Sequence, residues 1–390
     1  MIHYFNPGHE TAVLNASKYY QPPRRVAKMQ EDLALLPAWY ASPGDSVFTG
    51  QEIQSEALRN NSVELWGISP QSVHYFETLD KRYGLQLRIP EWKEIYRFLG
   101  SRFAAQKALA ALMDAIPEID KTILPQFYSN PEEIEGIVNP HRPLKLEGRE
   151  GAFLVKSPYS SSGRGLLWLP AGKLGQPEKQ IIGGMLKKQS MVSVEKALDK
   201  RLDFSMHFEI SREKETRFIG YSVFRTNAKG AYESSLLAGR ETLEKQITDL
   251  TGKDLLHRTK EMLTGILQEM YAPHYAGNLG VDMMAYACEN QLRLHPCVEI
   301  NMRKSMGYLA IRLFENHISP ISRGHFFVEY HKSSQMLNQK HAALQKQFPL
   351  QTENGRIYSG YLNLCPVTEA ANYLAYVTVK PCGDSECGLF

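Results

Sequence analysis

The sequence predicts an α/β chain whose later and larger part is α+β, and three observations carry that prediction. Over the first hundred residues short apolar runs alternate with helical patterns, as in a small parallel α/β layer. The strongest helical signal follows, in "PEWKEIYRFLGSRFAAQKALAALMDAI". Strands then dominate from "ILPQFYS" through "TRFIGYSVFRT", and a late strand pair is separated only by "ENQ".

Each element has a local reason. "MIHYF" reads as a strand ended by the turn formers Asn6, Pro7 and Gly8. Val26, Met29, Leu33 and Leu36 recur at helical spacing, with Pro22 and Pro23 favouring the helix start. "DSVFTG" and "VELWGIS" are strand candidates, and "QSVHYFETLDKRYG" is a helix closed by Gly84. Ser101 can cap the helix that begins at Arg102. "GAFLVKSP", "GLLWLP", "MVSVEKAL" and "FSMHFEI" continue the strand signal, and a helix of about 20 residues is expected at 253–271. "GVDMMAYAC" and "QLRLHPCVEIN" flank "ENQ" as a hairpin would. The polar helix "SSQMLNQKHAALQKQ" leads to a last strand pair, near "GRIYSGYLNLCPVT" and "NYLAYVTVK".

Composition bounds the partners. At 390 residues, 43% hydrophobic and 22% charged, the chain has the balance of an ordinary globular protein. One core rarely grows to that length, so two or three domains are expected. The net charge of +3 comes from scattered basic residues, so a nucleic-acid partner is not expected. No secretory signal and no apolar run of about 18 residues is visible, so a cytoplasmic protein without a membrane partner is expected. Five cysteines are too few and odd in number for a disulfide framework; Cys382 and Cys387 read as part of a flexible tail or as a redox pair.

Two stretches carry chemistry. In "FLVKSPYSSSGRGLLWL", residues 153–169, two apolar runs are joined by a small hydroxyl-rich loop, with Lys156 just before it. Gly163 and Gly165 would let backbone approach a ligand, and Ser160 to Ser162 offer donors, so the loop could cover phosphates. By itself such a loop is more often only a turn, and it is not a Walker A loop. In "HPCVEINMR", Glu299, Asn301 and Arg303 stand two residues apart and share one strand face. Folding at "ENQ" brings Asp282 to the same end, and Mg²⁺ favours such carboxylate and amide oxygens. Acids at strand ends are ordinarily solvated. Here apolar neighbours embed them, and a buried carboxylate needs a cation or donors.

Together, "VKSPYSSSGRG" (155–165), "VEKAL" (194–198), "GVDMM" (280–284) and "VEINMR" (298–303) resemble the ATP-grasp superfamily. The Glu-X-Asn-X-Arg end is similar to the metal-binding strand of the carbamoyl-phosphate synthetase and biotin carboxylase branches. The resemblance covers about residues 100–310 and implies an ATP-grasp fold behind an N-terminal pre-ATP-grasp α/β domain. The divisions implied are 1–100 for that domain, 101–193 and 194–330 for the two ATP-grasp subdomains, and 331–390 for a C-terminal extension.

Carried over by residue, the resemblance implies that Lys156 meets ATP phosphate, covered by Ser161, Ser162, Gly163 and Gly165. Glu195, Lys196 and Leu198 would hold adenine at a hinge, and Asp203 would take the ribose hydroxyls, with one residue more in that turn than usual. Asp282, Glu299 and Asn301 would bind two Mg²⁺ ions, with Mn²⁺ as a substitute, and Arg303 would stabilise the reacting phosphate or carboxylate. Two departures stand out: "GSR" replaces the usual Asp-Lys, leaving Arg102 as the phosphate contact, and Ser157 stands where proline is common. His9 and Glu10, in "NPGHETA", lie where open α/β sheets place ligands, and read either as substrate contacts or as a polar turn.

The implied reaction joins a small-molecule carboxylate to an amine, or less often a thiol, through an acyl phosphate. Lys156 and Arg303 would serve as its catalytic residues, and loss of one metal ligand would slow turnover by about 10²-fold or more. A phosphotransferase, an ATP-binding regulatory module and a carbohydrate-binding β domain are the alternatives, and a homodimer is compatible with each. "RTNAKGAYESS", residues 225–235, reads as a loop near the site, whose Arg225 and Lys229 hint at an anionic substrate.

Overall fold

The structure is a computed structural model. It describes residues 1–50, 58–138, 144–146, 149–151, 153–160, 165–169, 174–227, 230–289 and 291–382. The N-terminal layer comprises β1 (Ile2–Tyr4), α1 (His9–Asn15), α2 (Arg24–Asp32), β2 (Ser46–Val47), β3 (Val63–Leu65) and α3 (Pro70–Tyr83). Its three strands are parallel in the order β2-β1-β3, as the alternating pattern predicts. Ser69 caps α3 reciprocally with Ser72, and Gly84 ends it in the left-handed region, which lacks a Cβ penalty only for glycine.

The strong helical signal is two helices, α4 (Ile95–Leu99) and α5 (Arg102–Ala115). Ser101 occupies the position before α5 without capping it: its hydroxyl donates to the Phe98 carbonyl at 2.6 Å. The hydroxyl is turned towards the end of α4 and away from the first N–H groups of α5, for which a capping oxygen would be the acceptor. Ala104, Ala105, Ala108, Leu109 and Leu112 bury one face of α5 in the core of the large sheet.

Next come β4 (Gln126–Tyr128), α6 (Pro131–Val138), β5 (Leu144–Leu146), β6 (Arg149–Gly151), β7 (Phe153–Lys156), β8 (Leu166–Leu169), α7 (Gln176–Gln189) and β9 (Val192–Lys196). The strands β4-β9-β7-β8 form a small antiparallel sheet, and Ile134, Ile182 and Met185 of the two helices pack on its Val155, Leu169 and Val194. A division at 193/194 falls inside β9.

The remaining chain builds one sheet from β10 (Asp199–Ile210), β11 (Thr216–Thr226), β12 (Tyr232–Leu237), β13 (Gly277–Cys288), β14 (Gln291–Asn301), β15 (Ser322–Tyr330), β16 (Gln351–Glu353), β17 (Arg356–Asn363) and β18 (Tyr373–Pro381). Their order is β14-β13-β10-β11-β12-β15-β18-β17-β16. Helices α8 (Arg240–Thr251), α9 (Lys253–Met270), α10 (Met306–His317) and α11 (Ser334–Gln347) accompany it. Residues beyond 330 continue this sheet, since β15 pairs with β18 from Ser322↔Pro381 to Tyr330↔Tyr373. The N-terminal layer is packed against the same body: Phe5, Leu33, Leu36 and Trp66 share a core with Leu309, Leu313, Phe326 and Val377. Among the described residues no helix is long and apolar enough to cross a membrane.

Candidate active site

A cleft of about 370 Å³ lies between the small sheet, which contributes Leu154, Lys156, Trp168 and Glu195, and the large sheet, which contributes Asp203, Asp282, Glu299 and Asn301. Strand registry sets the first group. β7 and β9 pair Lys156 with Ser193 and Leu154 with Glu195, and Lys156 and Glu195 form an ion pair with both side chains buried. Burial alone would raise the Glu195 carboxyl, but the charges of Lys156 and Arg102 hold it below its ordinary range. Ser193 Oγ donates to the other Glu195 oxygen at 3.3 Å.

The loop after β7 closes through Ser157 N–H, which donates to the Gly165 carbonyl at 2.9 Å. Gly165 has φ +72°, and a Cβ there would stand 2.9 Å from Ser157 Oγ, so the turn requires glycine. Ser161, Ser162 and Gly163 lie outside the described residues. Arg102, the first residue of α5, spans the cleft floor. Its guanidinium donates to Ser157 O at 3.2 Å, Ser160 Oγ at 3.3 Å and Glu299 Oε2 at 3.1 Å. The residue expected to meet phosphate thus already links the loop to the acidic strand.

On the side expected to hold the nucleoside, Lys196 is exposed at the cleft rim and Leu198 is half-buried against the main core. Asp203 lines the cleft and accepts from Lys200 Nζ at 2.7 Å and Thr226 Oγ1 at 3.1 Å. His295, which sequence reasoning missed, also lines it. Its ring is buried, with Nδ1 lacking a hydrogen-bond partner, and burial holds its pKa down at about 4. The missed signal was its place on β14, four residues before Glu299 and so on the same strand face.

At the acidic end, Asp282 and Glu299 stand directly opposite across β13 and β14, with Asn301 opposite Gly280. Asp282 accepts from Ser205 Oγ at 2.6 Å and from Asn301 Nδ2 at 3.0 Å. Burial, and then the charge of Glu299, pushes the Asp282 carboxyl up to about 7. Two crowded carboxylates with an amide beside them are a donor set that a hard divalent cation relieves. Among the described residues no three or more His, Cys, Asp or Glu side chains are grouped so that they could hold a metal ion, so the candidate set is two acids and an amide. The Asn301 oxygen accepts from Arg303 Nη2 at 3.0 Å, which leaves that amide oxygen a second lone pair.

Arg303 lines the cleft and has partners that the sequence reading did not foresee. Its Nε donates to Glu10 Oε1, and Nη1 donates to the Lys304 carbonyl at 3.0 Å. Burial would raise Glu10, yet Arg303 and His9 hold it well below the usual carboxylate range. His9 and Glu10 are therefore no polar turn: both are buried and open α1. A Cβ on Gly67 would meet the His9 ring at 2.4 Å, so that glycine makes room for the helix start. Lys304 turns away from the cleft, pairing with Glu64 and lying 5.3 Å from the Tyr40 ring centroid. Of the loop at 225–235, Asn227, Gly230 and Tyr232 line the cleft, whereas Arg225 is exposed and does not; Lys229 lies outside the described residues.

No family model and no curated protein matches the sequence. Solved structures resemble it at low identity. N5-carboxyaminoimidazole synthetase from Staphylococcus aureus, complexed with ADP, is 13% identical with a TM-score of 0.48, covering 98% of this chain and 93% of that one. A biotin carboxylase complex from Campylobacter jejuni is 11% identical with a TM-score of 0.49, covering 97% and 87%. The biotin carboxylase domain of the Hydrogenobacter thermophilus 2-oxoglutarate carboxylase, with MgADP and bicarbonate, is 10% identical with a TM-score of 0.46, covering 97% and 86%.

Proposed function

We propose that this chain is an ATP- and Mg²⁺-dependent ligase of the ATP-grasp type, joining a carboxylate to an amine with release of ADP and phosphate. One observation carries the reading: Arg102 and Lys156 on one side and Asp282, Glu299, Asn301 and Arg303 on the other line a single cleft between two antiparallel sheets. Cations that suit phosphate and oxygens that suit a divalent ion thereby face one volume. In this proposal the small sheet and the start of the large one are the two halves that close on ATP, and the N-terminal layer completes the acceptor side. Up to two Mg²⁺ ions, or Mn²⁺, would be held by Asp282, Glu299 and Asn301. When bound they neutralise phosphate charge. The protein is proposed to act in the cytoplasm, in keeping with its four described cysteines, all of them unpaired.

The chain's own groups divide the work. Lys156 and Arg102 would bind phosphate oxygens, with Glu195 and Glu299 holding those cations in place until ATP arrives. Lys196 and Leu198 would border the adenine, and Asp203 the ribose, exchanging its Lys200 and Thr226 partners for hydroxyls. A substrate carboxylate oxygen bonds to the γ-phosphorus as the bond to ADP breaks. The amine nitrogen then bonds to the acyl carbon, phosphate leaves with the bonding pair, and the amine proton passes to solvent. Arg303 would hold the carboxylate through its remaining N–H groups.

The test is ADP release with pools of carboxylates and amines, using Glu299→Gln as the blank. The ligase reading expects at least one pool to accelerate wild type and not the variant, with a new amide in the products. ADP with a stable phosphorylated acceptor would instead establish a phosphotransferase, and ATP binding without turnover a regulatory module.

A further inference from the structure

We propose that the acceptor carboxylate is carried on an apolar body, an aliphatic chain or aromatic ring, seated between the N-terminal layer and the start of α10. This rests on the ligase reading and specifies its substrate class. The cleft does not stop at Arg303: it continues onto Pro7, Val26, Met29, Trp66, Tyr232 and Met306. Arg303 is the charged side chain of the cleft that lies between the strand end carrying Glu299 and Asn301 and the start of α10 at Met306.

Three hydroxyl groups there already hydrogen-bond within the protein. Ser222 Oγ is bonded to His207 Nε2 at 2.8 Å, Ser305 Oγ accepts from Tyr308 N–H at 3.2 Å, and Tyr232 Oη is bonded to Ser235 Oγ at 2.9 Å. His207 stays neutral, since burial pulls its pKa down to about 3. Those bonds reduce what can receive a polar substrate body, and apolar surface remains. The wall is also fixed in place. Trp66 stands edge-on to Phe5 at 5.0 Å between ring centroids, and its carbonyl accepts from Lys304 N–H at 2.9 Å.

Arg303 supplies the complementary head-group site. A guanidinium has five N–H donors, and three are committed, to Glu10, the Lys304 carbonyl and Asn301. One N–H therefore remains on each terminal nitrogen, enough for a single carboxylate. Glu10 already offsets most of the Arg303 charge, so a second carboxylate on the substrate would meet no further cation at this end. The geometry points to a monocarboxylate.

Hydroxylamine can replace the unknown amine, trapping an activated acid as its hydroxamate. Wild-type protein with Mg-ATP is offered 3-phenylpropionate and hexanoate beside glycolate and succinate, and equilibrium binding of each acid is measured separately with a non-hydrolysable ATP analogue. The expected result is at least tenfold more hydroxamate, and tenfold tighter binding, for the two apolar acids. Met29→Glu and Met306→Ser should both reduce that preference, with the Mg-ATP thermal shift showing that each is folded. Equal or better use of glycolate or succinate overturns the acceptor assignment and leaves the ligase reading standing. Selective binding of the apolar acids without ADP release supports the chamber and overturns the ligase reading. No selective binding and no turnover overturns both.

Discussion

Glu10, in the first turn of α1, is ion-paired with Arg303, 293 positions further along the chain. The contact joins the N-terminal layer to the end of the strand that carries Glu299 and Asn301. It has a pH signature. Arg303 and His9 hold Glu10 below its ordinary value of 4.5 despite burial, so the folded protein keeps the carboxylate where the unfolded chain would protonate it. The resulting stability is present in full above that value and is lost as pH falls towards the folded pKa. Glu10→Gln should be less stable than wild type by about 1–3 kcal/mol at pH 7, with the gap closing towards pH 3. Urea midpoints at several pH values check this, and a gap independent of pH would refute it.

The Lys156–Glu195 pair should respond to single and double substitution differently. Both side chains are less than a tenth exposed, so either charge left alone is poorly solvated. Lys156→Met is expected to cost about 3–5 kcal/mol, and Lys156→Met with Glu195→Leu much less, since the pair is then replaced by apolar volume. A double variant as unstable as the single one, by denaturant midpoint, would show that the pair itself holds the small sheet together.

What could be read in advance divides by range. The β13–β14 hairpin was legible because a period of two and a short turn are local signals, and they bring Asp282 and Glu299 to its open end; that the two stand directly opposite depends on a register shift between Asp282 and Met284 that no local signal shows. Helices α6, α7, α8 and α10 went unread. α7 carries Gly183 and Gly184 mid-helix, and only Gly252 separates α8 from α9, so helical periodicity is diluted or merged. "NPGHE" looked like a turn because Asn, Pro and Gly are turn formers, yet Gly8 leads straight into α1. Nothing local signals that Glu10 meets Arg303 or that Ser205 meets Asp282, because those pairings are set by packing between distant segments.

Gly67→Ala tests how tightly that packing is set. The added methyl would stand 2.4 Å from the His9 ring, and Gly67 also exchanges two hydrogen bonds with Asn6, at 2.7 and 3.2 Å, so neither partner can easily withdraw. Displacing His9 should shift α1 and with it Glu10. A loss of about 1–3 kcal/mol is expected. If Glu10 positions Arg303, the acceptor KM should rise more than the ATP KM; an equal rise in both would point to a general loss of structure.

Removal of Mg²⁺ gives the sharpest test of the acidic strand ends. Asp282 and Glu299 oppose each other across the ladder, and burial with their repulsion raises Asp282. Asp282→Asn relieves that repulsion, so without metal it should match or exceed wild type in thermal stability. With Mg-ATP the order should reverse, because wild type gains a ligand-dependent shift that the variant lacks. EDTA should restore the metal-free order, and with Mg-ATP turnover of the variant should fall by about 10²-fold. Equal Mg-ATP shifts in the two proteins would mean that the carboxylate pair does not hold the metal, and the oxygen set would have to be sought elsewhere along the cleft.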